Sequence, residues 1–316
     1  MSFFGNATNG PKKDPSKKAS IGVVIPPAEL KEIAMNRTNV QVTPHKNAKI
    51  SEVKAFQKEI LSPSLAKSST PTQNVLPTYI PGLDEMIEDN GFERGSTILI
   101  TGGAGCGKTT ICCQMLYNAI KDGEKVVYIS LEEEVKKLKA HMKKNFGWDF
   151  SLYEKNNQAT FIQMDPIDVA RKIESQVAAQ KGKLLIEMED FDFPFKPDRI
   201  VLDSLSALSI AFENSESYRK FIRHLFKRFE ETNSLVFMIG ENEQNPRMYS
   251  HAGVEEYLVD GVVVLYNIKS GSQRITALEI LKLRSSKHAK KIVPFNLTKT
   301  GIEVFPDQEI FEEPNS

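Results

Sequence analysis

From Thr78 onward, short continuous apolar runs alternate with longer stretches in which apolar residues recur every three or four positions. An apolar, β-branched run bounded by Gly, Asp or Asn reads as a strand buried on both faces, and the longer spacing reads as a helix with one face turned to a core. Strands are predicted over 97–101, 125–130, 159–164, 199–203 and 234–240. Helices are predicted between them, ending near Asp122, over 135–147, over 168–182 and from Ser217 to Thr232. In the second of these, Val135, Leu138, Met142 and Phe146 share one face and lysines the other. The stretch TYIPGLDEMIEDNGFERGS places turn signals at Pro81-Gly82 and Asn90-Gly91 around a short helix. Such alternation predicts an α/β fold with a parallel sheet covered on both sides. Beyond Asp260 the pattern is strand and turn only, in GVVVLYNI, QRITALEILKLR, IVPFNL and GIEVFP, which predicts an antiparallel C-terminal extension.

Before Thr78 this regularity is missing. Residues 1–20 are rich in Gly, Asn, Ser, Pro and Lys and are expected to be disordered. Two short helices are expected next, AELKEIAM after Pro26-Pro27 and SEVKAFQKEIL capped by Ser51, and 62–72 reads as a linker. The domain expectation is a flexible basic extension over 1–75 and one domain over 76–316. Residues 1–77 carry 11 Lys+Arg against 5 Asp+Glu, net +6; the whole chain is formally neutral, so the remainder is −6. Polyanion binding, if any, belongs to the N-terminal region, and a solvated tail is the preferred reading. No apolar run approaches a membrane span and the N-terminus lacks a signal-peptide core, so a soluble, cytoplasmic protein without membrane insertion is expected.

The chemistry concentrates in STILITGGAGCGKTTICCQMLY, Ser96 to Tyr117, where G-x-x-x-x-G-K-[ST] is matched in full. Gly102, Gly103, Ala104, Gly105, Cys106 and Gly107 form a turn whose glycines let backbone N–H groups ring an anion, and the helix behind presents its N-terminus, through Thr109 and Thr110, to the same phosphates. Lys108 meets the β- and γ-phosphates, and the Thr109 hydroxyl is a Mg²⁺ ligand. RIVLD ends in Asp203, a strand-terminal carboxylate placed to hold the same metal through water. ATP and Mg²⁺ are therefore the expected cofactors. The three cysteines, Cys106, Cys112 and Cys113, lie in or just behind the loop. They cannot build a disulfide framework and are read as buried, reduced side chains, with a loop thiol sensitive to oxidation as the other reading of Cys106.

Together PGLDEMIEDNGFERGS, TGGAGCGKTT, YISLEEE, FGWD, IVLDSLSAL, HAGVEEYLVDGVVVL and EILKLRSSKHAKKIVPFNLTKTGIEVFP resemble, in this order, the blocks of KaiC-type ATPases in the RecA-like branch of P-loop proteins. The resemblance covers about Leu76 to Phe305. It implies a RecA-like fold assembled into a ring, a hexamer, with ATP between neighbouring subunits. It assigns Glu132 and Glu133 to polarising the attacking water; acidic residues that favour a helix start are the plainer reading. It also assigns Lys282 and Arg284 to the γ-phosphate of the adjacent subunit, with His288 and Lys290 as further contacts across that interface. Basic residues that discourage edge pairing are the alternative there.

Two features depart from the family pattern. KLLIEMEDFDFPFKPD is an acidic, aromatic insert, so the 183–198 loop, like the N-terminal extension, is a candidate contact for a protein partner. Only one ATPase domain is evident, and the stretch before HAGVEEYLVDG is similar to the non-phosphorylated repeat of the clock protein, which argues against a timekeeping autokinase. Two other readings stay open: a RecA- or RadB-like recombination accessory protein, whose nucleic-acid contact is not favoured because no basic core loop is evident, and a slow nucleotide-sensing scaffold similar to the archaellum motor ATPase.

Overall fold

The computed structural model describes residues 74–179, 193–242, 255–270, 272–308 and 310. Nearly all of the expected extension, including its two helices, and the acidic part of the insert lie outside the described residues. The first half comprises β1 (Val75–Leu76), β2 (Phe92–Glu93), β3 (Thr97–Gly102), α1 (Lys108–Lys121), β4 (Val126–Ser130), α2 (Val135–Phe146), α3 (Ser151–Lys155), β5 (Ala159–Gln163) and α4 (Pro166–Ala179). The second half comprises β6 (Arg199–Asp203), α5 (Leu205–Ala211), α6 (Ser215–Thr232), β7 (Leu235–Glu241), α7 (Glu255–Leu258), β8 (Gly261–Ser270), β9 (Gln273–Leu283), β10 (Val293–Thr298) and β11 (Gly301–Val304). β1 and β2 pair with each other, and the nine other strands form one sheet in the order β11-β10-β9-β8-β3-β7-β6-β4-β5.

Every pairing from β8 through β5 is parallel. The extension expected beyond Asp260 therefore begins one strand later, because β8 belongs to the parallel core and only β9, β10 and β11 are antiparallel. Asp260 marks the entry to β8 and meets the first residue of β3 twice: its N–H donates to Thr97 O at 2.9 Å and its carboxylate accepts from Thr97 N at 3.0 Å. Chain that enters beside the start of β3 and pairs along it runs the same way as β3.

One apolar layer packs α1, α2 and α3 on one face of the sheet, and a second packs α4, α5 and α6 on the other. In α6 the buried Tyr218, Phe221, Ile222, Leu225, Phe226 and Phe229 follow helical spacing. It starts at Ser215, two residues before the predicted start, because Asn214 Oδ1 accepts from the N–H groups of Glu216 and Ser217. α5 was not anticipated; Ser204 caps it by accepting from Ala207 N. The helix expected between Pro81 and Asn90 is a single 3₁₀ turn at Asp84–Met86.

α1 is buried on every side from Ile111 to Leu116 because the β10-β11 hairpin covers the face that the sheet leaves free. Gln114 makes the closure specific: its amide donates to Ile302 O at 3.0 Å and its carbonyl accepts from Ile302 N at 2.6 Å, satisfying the outer edge of β11. This contact requires Gly301, whose φ is +120° and where a Cβ would lie 2.3 Å from Gln114 Oε1 and 2.9 Å from Trp148. At the start of β6 Arg199, fully buried, forks onto Glu124 at 2.7 and 2.8 Å and lies against the Tyr79 ring.

Gly301→Ala is expected to lower unfolding free energy by about 2–4 kcal/mol, since strain and overpacking act together; urea titration followed through the single tryptophan, Trp148, measures it. Glu124→Ala is expected to destabilise by about 3–5 kcal/mol by stranding the buried guanidinium, and Glu124→Met with Arg199→Met to recover most of that loss. Equal damage from the single and the double variant in the same titration would contradict this account of the ion pair.

Candidate active site

In an open parallel sheet the carboxyl ends of the strands frame a crevice, and here that edge collects the groups that carry chemistry. β3 ends at Gly102, level with Glu241 at the end of β7, and β4 ends at Ser130, level with Asp203 at the end of β6. The loop after β3 has the predicted form. Gly105 and Gly107 adopt φ of +72° and +97°, and a Cβ on Gly102 would lie 2.3 Å from Leu265 O on β8. Ala104 and Gly105 are exposed at the tip, Gly103 and Cys106 are buried, and Thr109 and Thr110 are half-buried at the start of α1. The first helical bond is Ile111 N to Gly107 O at 2.9 Å, so the preceding N–H groups have no partner within the helix.

Lys108 is 8% exposed and donates to Gly102 O at 2.9 Å and Gly103 O at 3.0 Å, with the Glu241 carboxylate 3.8 Å away. The Thr109 hydroxyl donates to Asp203 Oδ2 at 2.9 Å, and Tyr128, two residues before the end of β4, donates its phenol to the same oxygen at 2.5 Å. Burial raises the Asp203 carboxyl above its usual range, and the bonds from Tyr128 and Thr109 oppose that shift. The Asp203–Ser204 peptide bond is cis. Glu132 accepts from Ser204 Oγ at 3.1 Å, and Glu133 lies 3.2 Å from His141 Nδ1 of α2. The two glutamates thus stand beside Asp203 on the loop after β4, tied to different elements.

The thiols of Cys106, Cys112 and Cys113 are free and buried, and burial pushes all three pKa values up. That environment suppresses the thiolate and removes the basis for an oxidation-sensitive loop thiol at Cys106. Among the described residues no group of His, Cys, Asp and Glu has the arrangement of a metal cluster, and no helix is long and apolar enough to cross a membrane.

Lys282 and Arg284 are elsewhere. Lys282 pairs with Val262, which pairs with Leu99, and Leu283 pairs with Gly261, which pairs with Ile98, whereas Gly102 pairs with Leu265. Along β3, three strand positions, roughly 10 Å, separate Lys282 from the start of the loop of its own chain, and Arg284 lies two residues further on. Lys282 donates to Glu256 O at 3.0 Å and Val259 O at 2.6 Å, and Arg284 donates to Tyr257 O at 2.8 Å, so both cover carbonyls at the end of α7. Burial, then the Arg284 charge, lowers the Lys282 pKa. His288 bridges to Ile87 and Lys290 is exposed; the structure brings neither into hydrogen-bond contact with the loop.

Sequence reading missed Tyr128, Ser204, His141 and Glu241. Tyr128 looked like one more strand residue, although its parity places it on the Asp203 side of the sheet. Glu241 fell outside the predicted strand because the apolar run stops at Gly240.

A strand, a glycine loop and a helix at the switch of a parallel sheet, with a hydroxyl-carboxylate pair beside them, define a RecA-like P-loop NTPase. The KaiC ATPase family profile matches residues 76–309, and the chain belongs to that family. It is 33% identical over 242 residues to the circadian clock protein KaiC3 of Synechocystis, covering 76% of this chain and 47% of that one. It is 29% identical over 231 residues to the circadian clock oscillator protein KaiC of Synechococcus elongatus, covering 72% and 44%. The chain thus spans about half the length of these relatives. Among solved structures a KaiC-like protein of the hyperthermophilic archaeon Pyrococcus horikoshii superposes with a TM-score of 0.60 at 31% identity, covering 73% of this chain and 99% of that one.

Tyr128→Phe removes a bond to the charged form of Asp203, so the Asp203 pKa should rise further. The folded state would then hold that proton more tightly than the unfolded chain, and stability should be lost above the folded pKa and return as pH falls through it. The expected loss at neutral pH is about 1.5–3 kcal/mol, shrinking toward acid pH; denaturant titrations of wild type and variant across pH measure the difference.

Proposed function

We propose that the chain is a Mg²⁺-dependent ATPase acting between subunits of a homo-oligomeric ring, hexameric as in the family resemblance, in the cytoplasm. The observation that carries this reading is the division of the site. The loop, Thr109, Asp203, Glu132 and Glu133 gather at one end of the sheet, while Lys282 and Arg284 sit at the other end, out of reach of their own loop. Head-to-tail contact, which closes into rings, brings opposite ends of neighbouring copies together.

The residues fit Mg-ATP. A buried ammonium held by two carbonyls, with its nearest carboxylate at 3.8 Å, is an incomplete ion pair that a polyphosphate completes. The N–H groups at the start of α1, which have no partner within the helix, and the loop amides from Gly102 to Gly107 supply the remaining donors. Thr109 would ligate the metal and Asp203 support it through water. When bound there, Mg²⁺ would supply charge neutralisation on the phosphates. Glu132 and Glu133 orient a water for in-line attack and accept its proton as the γ-phosphorus bond to the ADP oxygen breaks. From the adjacent subunit, Lys282 and Arg284 neutralise charge on the transferring group, with His288 and Lys290 completing that contact.

In this reading the 76–316 region is the ATPase domain. Residues 1–75 and the 183–198 stretch serve a protein partner, whose regulation, or the assembly itself, follows nucleotide state.

Complementation tests the division directly. Lys108→Ala alone is expected to abolish nucleotide binding, and Lys282→Ala with Arg284→Ala to keep binding but lose turnover by about 10³-fold or more. Mixing the two inactive proteins should restore part of the phosphate release, because some interfaces then join an intact loop to an intact basic pair. No recovery in a mixture that forms oligomers by light scattering would place catalysis within one chain and refute the interface mechanism.

A further inference from the structure

The carboxylates at the loop edge are not equally engaged. Asp203 accepts from Thr109 and Tyr128, Glu132 accepts from Ser204, and Glu133 pairs with His141. Glu241 has Lys108 as its side-chain partner among the described residues, at the long separation of 3.8 Å, and its side chain is 49% exposed. Its backbone, by contrast, is fixed. The Glu241 N–H donates to Ser206 Oγ of α5 at 2.8 Å, and the next residue, Asn242, donates its N–H to Gly102 O at 3.3 Å.

Resting on the reading that the loop binds a polyphosphate, we propose that Glu241 is a displaceable counter-ion of Lys108 that sets how tightly nucleotide is held and how fast it leaves. Of the three oxygen contacts of the Lys108 ammonium among the described residues, two are carbonyls of the loop, which cannot depart without unmaking it. The third is a half-exposed carboxylate on an anchored strand end, free to rotate into solvent. A phosphate that takes its place gains the ammonium while standing beside a carboxylate one strand away, since Glu241 is level with Gly102 across the β3-β7 pair. Glu241 thus acts in two directions. It neutralises Lys108 before nucleotide arrives, and it repels the phosphates once they are bound.

The charge arithmetic sets the sign. Replacing the carboxylate by an amide of the same shape removes a competitor for Lys108 and a repulsion at short range, in a setting half screened by solvent. Both changes favour the bound state. A positioning role in water activation predicts the opposite pattern, unchanged affinity with lost turnover, because the group would then act only on the reacting atoms.

Titration calorimetry with ATP and with ADP, each with Mg²⁺ at fixed ionic strength, on wild type, Glu241→Gln and Glu241→Asp, decides between them. Glu241→Gln is expected to bind both nucleotides roughly tenfold tighter, to release a fluorescent ADP analogue more slowly by a similar factor, and to gain more in melting temperature from nucleotide than wild type gains. Glu241→Asp, which keeps the charge, should stay close to wild type. Unchanged affinity with turnover lost, or weaker binding in Glu241→Gln, would overturn the counter-ion assignment while leaving nucleotide binding by the loop intact. If wild type bound neither nucleotide, the loop reading itself would fall and the assignment with it.

Discussion

Lys108 keeps its ammonium 2.9 and 3.0 Å from two carbonyl oxygens of its own loop, in a place where water barely reaches. A cation so buried is tolerated only if its donors are occupied and an anion is close or about to be. The surrounding structure follows from that demand. Gly102 has no Cβ because Leu265 O lies where one would be, Gly107 takes a left-handed conformation so that α1 can start at Lys108, and α1 is wrapped on all sides so that its first turn stays in place. The hairpin of β10 and β11 supplies the last part of that wrapping through Gln114 and Gly301.

Parallel pairing accounts for the rest of the site. Strands that run the same way end on the same edge, so Gly102, Ser130, Asp203 and Glu241 come together though they lie far apart in the chain. The same rule separates Lys282 and Arg284 from them. β9 runs antiparallel to β8, and its end is level, across β8, with the beginning of β3. One sheet therefore carries acidic and phosphate-facing groups at one end and a basic pair at the other. In the proposed ring these would be the two halves of one interface.

Much of this was legible along the chain. The loop could be read because its pattern is local: eight residues, Gly102 to Thr109, define the phosphate-loop motif wherever the fold places it. Asp203 was legible as the end of an apolar run, and α6 from its spacing of Phe, Ile and Leu. Tyr128, Glu241 and Gln114 were not. Gln114 meets Ile302 across 188 residues, and nothing in QMLY or GIEV marks either as a partner. β8 was misplaced for a related reason, since its apolar run has the same appearance beside a parallel or an antiparallel neighbour and its direction appears only in its pairing with β3 from Ile98 to Gly102.

The sequence by itself determined most of the core strands and the longer helices, and which loop has the phosphate-loop pattern, because periodicity and glycine sterics act over a few residues. Only the tertiary structure decided which strand lies beside which, and with it that Tyr128 braces Asp203, that Glu241 faces Lys108 and that Lys282 and Arg284 bond to the end of α7 rather than to the loop. The physical reason is that strands pair through backbone N–H and C=O groups, which are the same at every residue. Their order is selected by how the whole set of side chains packs, and no single stretch of sequence carries that information.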